Sequence, residues 1–233
     1  MLGLIGQQKK FSPKQLSGLQ LWLDASQLAL ADNAQVASWT DLSGNGYNAT
    51  QATEAKRPTF KTGIQNGLPI IRFDGLDDFL QTAAFLAALS QPNTIFIVFI
   101  SNRTGDPGEV ICDGIVGTSR HMFGSSSLAA GKQWSTFAGI QLWAASVYDN
   151  APHVASLFFN TTAALARLDG TQIISGDNGT QTLTGVTLGC AATEVAYGAT
   201  DIAEYILYDR LITTGERDRV ETYLSRKWGV ALV

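Results

Sequence analysis

"IAEYILYDRLITTGERDRVETYLSRKWG", residues 202–229, joins an apolar run to an amphipathic one, and its reading decides the fold. The first eight residues are rich in β-branched and aromatic side chains and end on Asp209, which predicts a strand. Thr213 and Glu216 have the spacing of a capping box, in which each satisfies an orphan amide of the other. Val220, Tyr223, Leu224 and Trp228 fall on one helical stripe, while Arg217, Asp218, Glu221, Ser225 and Arg226 fall mostly elsewhere. Gly229 stands where a left-handed C-terminal cap belongs. The stretch therefore predicts a strand followed by a helix over 213–229 that closes a domain against a sheet.

Working outward, strand signals dominate. "LQLWLDA" (19–25), "PIIRFDG" (69–75), "TIFIVFI" (94–100), "EVICDG" (109–114), "HVASLFFN" (153–160) and "GVTLGC" (185–190) are short and mostly end on turn residues. "ALARLDGTQIISGD" reads as a hairpin turned by Asp169-Gly170. "AAFLAALS" (83–90) reads as a short connecting helix, and 124–150 as the least regular stretch, with "FGSSSLAAG" (123–131) a Ser-rich loop. Many short strands with frequent turns mean an all-β sandwich or barrel. No linker, repeat or low-complexity segment interrupts 19–233, so one domain is expected, preceded by an arm over residues 1–18.

Of the 233 residues 45% are apolar, enough for a sizeable core, and only 15% are charged, which leaves a surface of Ser, Thr, Asn, Gln and Gly. The net charge of −4 comes without blocks of like charge, so nucleic acid is not an expected partner. "TIFIVFI" is too short to span a bilayer, and "MLGLIGQQKK" lacks the layout of a signal peptide. Cys112 and Cys190 form no C-x-x-C motif and read as buried free thiols.

The ordered set "LQLWLDAS", "VASWTDLSGNGYNATQAT", "RPTF", "PIIRFDGLDDFL", "TIFIVFI", "HVASLFFN…ARLDGTQI" and the closing strand and helix resembles the concanavalin A-like lectin/glucanase superfamily, in its laminin-G-like branch. The resemblance runs from Leu19 to Gly229. It implies a jelly-roll sandwich of two antiparallel sheets with a C-terminal amphipathic helix. Modules of this type occur in phage virion proteins and in secreted bacterial multidomain proteins.

Two loops hold candidate site residues. In "SWTDLSGNGYNAT" (38–50) no Lys follows the glycines, which excludes a phosphate loop, and no acid follows Asp41 until Glu54, which thins the metal reading. A turn fits best, with Asp41 and Asn45 kept as ion or glycan contacts. In "FDGLDDF" (73–79), Asp74, Asp77 and Asp78 put three acids in five positions. They read as a turn with solvated acids or as ligands for Ca²⁺, which some members of the wider family hold on their loops. No other cofactor is expected. Trp134 and Trp143 are the candidate sugar platforms, although core packing competes for both, and Trp22 and Trp228 read as core.

Catalysis is not expected. Glucanases of this superfamily carry E-x-D-x-E or E-x-D-x-x-E, because alternate residues on one strand share a face. None of the six Glu begins such a motif, and Glu204 and Asp209 are oddly spaced. There is no G-x-S-x-G elbow, and His121 and His153 read as structural or surface residues. The expected function is a non-catalytic structural and binding module of a phage particle: a capsid decoration, head-fibre or tail-associated protein. Three features favour it, namely the bare domain without an export signal, the polar uncharged surface, and an arm whose Met1, Leu2, Leu4 and Ile5 would dock on other virion proteins or on a second copy. Such a protein would be assembled in the host cytoplasm. The alternative is a carbohydrate-binding module for host glycans, and behind it a degenerate glycosidase.

Overall fold

The computed structural model describes residues 10–103, 108–128, 131–147 and 149–233. Met1, Leu2, Leu4 and Ile5 lie outside them. Along the described chain run β1 (Leu19–Asp24), β2 (Ser38–Trp39), β3 (Ala49–Thr50), β4 (Thr59–Gln65), β5 (Leu68–Arg72), β6 (Leu80–Thr82), β7 (Asn93–Ser101) and β8 (Glu109–Asp113). They are followed by β9 (Met122–Leu128), β10 (Gly131–Phe137), β11 (Gln141–Val147), β12 (Pro152–Phe159), β13 (Ala164–Leu168), β14 (Thr171–Gly176), β15 (Thr187–Leu188), β16 (Thr200–Tyr208) and the helix α1 (Thr214–Trp228). Two antiparallel sheets result. One is ordered β14-β13-β12-β7-β16-β5-β4, with β1 also paired to β16, and the other β11-β10-β9-β8-β15-β6-β3-β2. The architecture is a jelly-roll sandwich with one C-terminal helix.

Two cores explain why "TIFIVFI" is apolar throughout instead of alternating. Ile95, Ile97 and Phe99 face the second sheet, and Phe96 and Val98 face outward onto α1. A sheet covered on both sides needs apolar residues on both. Val220, Leu224 and Trp228 of α1 are fully buried there, each worth ~1.5–3 kcal/mol of apolar transfer. The capping box of Thr213 and Glu216 forms as expected, and Gly229 takes the left-handed conformation at φ 69°. The β13–β14 hairpin turns at Asp169 and Gly170, with φ of 51° and 85°, as the Asp-Gly pair predicts. Cys112 and Cys190 are free and buried. No helix among the described residues is long and apolar enough to cross a membrane.

The segment expected to be an arm is anchored in its second half. Leu16 is buried with the residues under α1, Phe11 meets the Tyr223 ring edge-on at 5.6 Å, and the Tyr208 hydroxyl donates to the Pro13 carbonyl.

Two expectations are corrected. Residues 83–90 are not a helix. Leu89 exchanges backbone hydrogen bonds with Leu183, and the Phe85 amide donates to Thr184, so the segment's amides find partners across the chain. Eight residues are too few for a self-sustaining helix, and the nearby Pro92 favours extended backbone before it. Likewise the described residues of 124–150 are not irregular: β9, β10 and β11 run through them. The Ser- and Gly-rich composition hides these strands, and at Gly124 the missing side chain lets a neighbour approach. A Cβ at Gly124 would come within 2.3 Å of the Glu109 carbonyl on β8.

Candidate functional site

The loop 74–78, "DGLDD", connects β5 to β6 at one end of the sandwich. Phe73 and Thr200 exchange backbone hydrogen bonds and fix its entry, and the Phe79 amide donates to Lys56 at its exit. Gly75 is required inside it: φ is +77°, and a Cβ would come within 2.8 Å of Ala199. Asp74 Oδ1 accepts from the amides of Leu76, Asp77 and Asp78, and Asp78 Oδ2 accepts from the amide of Asp74. Arg103 ties the loop to its neighbour by donating to the carbonyls of Gly75 and Tyr197.

This geometry brings one carboxylate oxygen of each of Asp74, Asp77 and Asp78 within 4.8 Å of one another. Asp78 is buried, and its carboxyl is pushed up to about 6, first by burial and then by the charges of Asp74 and Asp77, against the Asp74 amide. Three hard oxygen donors at this distance have the chemistry of a Ca²⁺ or Mg²⁺ ligand set. Beside the loop lies a 430 Å³ hollow lined by Thr59, Arg72, Phe73, Asp74, Asp78, Asn102 and Ala199. The half-exposed Arg72 guanidinium is held by two 2.7 Å bonds to Asp201, which is buried. A carboxylate pair, a fixed guanidinium and an amide thus face one concavity.

The other expected residues are elsewhere. Asp41 is buried in a turn and accepts from the amides of Trp22, Ser43 and Tyr47 and from the Ser43 hydroxyl, so its oxygens are occupied. Asn45 donates to the carbonyls of Leu19 and Gln20. Within 38–50, β2 and β3 pair with each other, and the turn between them is tied to β1 through Leu42 and Asn45, as the turn reading has it. Trp134 is not a sugar platform: it is fully buried, with its ring 5.2 Å from Phe99 and 5.4 Å from Phe123. Alternation on β10 turns it inward, and cross-sheet aromatic packing takes it up. Trp143 is partly exposed on β11, at a sheet edge.

Glu204 also has no open site. A bulge in β16 between Ile202 and Glu204 turns it toward α1. There it accepts from Trp22 Nε1 (2.7 Å), Tyr223 Oη (2.9 Å), Lys227 Nζ (2.7 Å) and Trp228 Nε1 (2.7 Å), and Lys227 also bonds Asp24 at 2.5 Å. Burial pushes its carboxyl up and Lys227 pulls it down. The indoles and the ammonium can only donate, so the geometry accommodates the ionised form. His121 is buried against the Phe159 ring, with Nε2 2.9 Å from the Gln181 carbonyl, and burial pushes it down to about 4. It is a neutral core group.

Sequence reasoning missed Arg72, Asn102 and Asp201. One signal was available: Asp201 and Glu204 inside the apolar run 200–208 call for buried partners.

No family model matches the chain, and no curated protein matches it in sequence. In structure it is similar to a sialidase of Trypanosoma rangeli in complex with the inhibitor DANA, at a TM-score of 0.61 and 12% identity over 91% of this chain and 33% of that one. The chain thus spans about a third of the sialidase. Domain 4 of AbnA, a GH43 extracellular arabinanase from Geobacillus stearothermophilus, in complex with arabinotriose, matches at a TM-score of 0.62 and 11% identity over 88% of this chain and 97% of that one. The ligand binding domain of Botulinum neurotoxin serotype D in complex with N-acetylneuraminic acid matches at 0.61 and 10% over 88% and 50%. These likenesses show the β-sandwich fold.

Proposed function

We propose that the chain is a non-catalytic carbohydrate-binding module and that its ligand sits in the hollow beside loop 74–78. One observation carries the reading: a 430 Å³ concavity in which Asp74 and Asp78, Asn102 and the fixed guanidinium of Arg72 converge. Its size suits a small ligand, and its few placed polar groups suit a hydroxyl-rich one, whose hydroxyls both donate and accept. Asp74, Asp77 and Asp78 are the residues that would hold Ca²⁺, whose charge would fix ligand hydroxyls. The ligands of the structural neighbours, N-acetylneuraminic acid and arabinotriose, supply the first glycans to try.

The lack of catalysis is part of the proposal. Glycoside cleavage sets two carboxyls across the bond, about 5–5.5 Å apart for retention and farther for inversion. Here the three clustered acids stand on one short loop with Asp74 and Asp78 bonded to its own amides, and Glu204 is locked by four donors. The finer placement of the module on a phage particle is supported by the ordered sequence resemblance, and mass spectrometry of purified particles against cell lysate tests it.

The binding test is a glycan array followed by calorimetry, with and without Ca²⁺. Asp77→Asn is the informative variant, because no hydrogen bond of the Asp77 side chain holds the loop among the described residues. Binding is expected for wild type with Ca²⁺ and at least about tenfold weaker for Asp77→Asn, at a Tm no lower than that of wild type. Burial and the neighbouring carboxylates push the Asp78 carboxyl up to about 6, so Ca²⁺ binding should fall as pH drops through that value. Ca²⁺ affinity equal in both proteins would refute the metal assignment. Glycan binding indifferent to Arg72→Ala and Asp74→Ala would refute the site, and release of reducing sugar would refute the non-catalytic reading.

A further inference from the structure

On the outer face of the first sheet, which turns its other face to the interior core, α1 and the anchored residues 10–14 enclose a trough. One part, of 670 Å³, lies between Lys10 and Phe11 and the helix residues Arg219, Thr222, Tyr223 and Arg226. The second, of 370 Å³, continues past Phe11 and Tyr223 to Lys14, Trp22 and Gln27. Five cations line the two parts against two acids, in a protein of net charge −4. Both acids are already engaged, Asp24 by Lys227 and Ser26, and Asp218 by Arg217.

The other cations are not neutralised. Lys227 is spent on Asp24 and Glu204. Lys10, Lys14, Arg219 and Arg226 are exposed and have no acidic partner among the described residues. Arg219 is oriented without being neutralised: it donates to Gln15 Oε1 at 3.0 Å and lies 4.9 Å over the Phe11 ring. Arg219 and Arg226 stand two turns apart on one helix face, about 10 Å along the axis. Lys10 and Lys14 form the facing wall, and the half-buried rings of Phe11 and Tyr223 lie between.

We propose that this trough binds an anionic polysaccharide, with its carboxylate or sulfate groups on Lys10, Lys14, Arg219 and Arg226 and its sugar rings against Phe11 and Tyr223. Charge complementarity selects an anion, because four unpaired cations in one concavity repel one another until a ligand supplies negative charge. The repeat of positive groups along the trough suits a chain of regularly spaced anions. An extended acidic peptide is less well served. The floor is made of side chains on a helix, which offers no open strand edge for a peptide backbone. The site shares no residue with the 74–78 hollow, and its occupation does not depend on the function proposed for that hollow.

The test is affinity electrophoresis and calorimetry of the full chain with polygalacturonate, dextran sulfate, neutral dextran and polyglutamate. At least one polysaccharide polyanion should bind, more weakly as salt is raised, since exposed charges are screened within about 10 Å at 0.1 M. Which of the two binds better identifies the anion. Arg219→Glu/Arg226→Glu and, separately, Lys14→Glu should each weaken binding by about tenfold or more with Tm unchanged. Asp77→Asn should leave it intact. The proposal is overturned if neither polyanion binds, if neutral dextran binds equally, or if the charge-reversed proteins bind like wild type. Polyglutamate binding of equal strength and equal sensitivity to the reversals would reassign the trough to an acidic protein segment.

Discussion

Glu204→Gln should be among the most damaging single substitutions in this protein. The carboxylate accepts four hydrogen bonds and meets Lys227, all in a fully buried position. A glutamine keeps the shape and one acceptor oxygen, but its amide would point at the Lys227 ammonium or a Trp indole, donor against donor. Lys227 retains Asp24 as a counterion, so the loss is not that of a wholly unpaired charge. Removing one partner of a buried pair costs ~3–5 kcal/mol, and an orphaned buried donor ~1–3 kcal/mol. Each carboxylate oxygen accepts from two donors, so the retained oxygen still serves two of the four, and the sum should fall near ~3–5 kcal/mol. For a chain of this size that is a fall in Tm of roughly 6–20 °C. Scanning calorimetry at neutral pH gives the number, and a cycle with Lys227→Met adds the coupling: the double mutant should be less damaged than the two single effects added together. A Glu204→Gln protein melting within about 2 °C of wild type would refute the claim that this knot holds β1, β16 and α1 together.

Two further outcomes follow from the same side of the fold. Thr213→Ala removes the capping bond to the Glu216 amide and should cost ~1 kcal/mol, while Leu224→Ala empties a fully buried site and should cost ~2–5 kcal/mol. Chemical denaturation should rank them in that order, and equal effects would mean that α1 is held by its cap rather than by its packing. His153 lies between Asp169 Oδ2 (2.6 Å) and Asp149 Oδ1 (2.8 Å); burial pulls its pKa down, but the two carboxylates outweigh it and leave it raised. Protonation therefore stabilises the fold. The gain is complete below the unfolded value of about 6.5 and is lost as pH rises through the folded value. The Tm gap between wild type and His153→Asn should accordingly shrink from about pH 5.5 to about pH 8.5, and a gap independent of pH would rule out the charged clamp.

Legibility in the sequence followed range. The closing helix was readable because its cap, stripe and C-terminal glycine are all local. So was the hairpin at Asp169-Gly170. Residues 83–90 misled because their partners, Leu183 and Thr184, are nearly a hundred residues away and the local pattern carries no trace of them. Strands β9 to β11 misled for a compositional reason: Ser125 is buried although polar, and Gly124 serves close backbone approach, which periodicity does not record. The site divides in the same way. Asp74, Asp77 and Asp78 crowd within five residues and were visible as a cluster. Arg72 and Asp201 are joined across paired strands, and Asn102 comes from the end of another. The direction of Glu204 depends on a one-residue bulge that alternation alone would not place.

The acid loop carries more charge than its turn requires. Holding the backbone takes one Asx acceptor, and Asp74 Oδ1 supplies it to three amides. Asp78 adds one bond back to the Asp74 amide, which a neutral asparagine oxygen could also accept. Asp77 adds charge alone. The result is a carboxyl pushed up to about 6 by burial and by its neighbours. A folded value above the unfolded one has a definite sign: the loop's contribution is most favourable below the unfolded value of about 3.9 and is lost as pH rises through 6. At neutral pH the ionised Asp78 is therefore less favourable to the fold than its protonated form, and a bound divalent cation would offset that difference by replacing the missing proton. Adding Ca²⁺ should then raise Tm more at about pH 7.5 than at about pH 5, where protons already occupy Asp78. Asp78→Asn should raise Tm at the higher pH without Ca²⁺ and erase the pH dependence of the Ca²⁺ effect. A Ca²⁺ shift of equal size at both pH values would show that the three carboxylates do not act together, and the loop would then be a turn whose acids are only solvated.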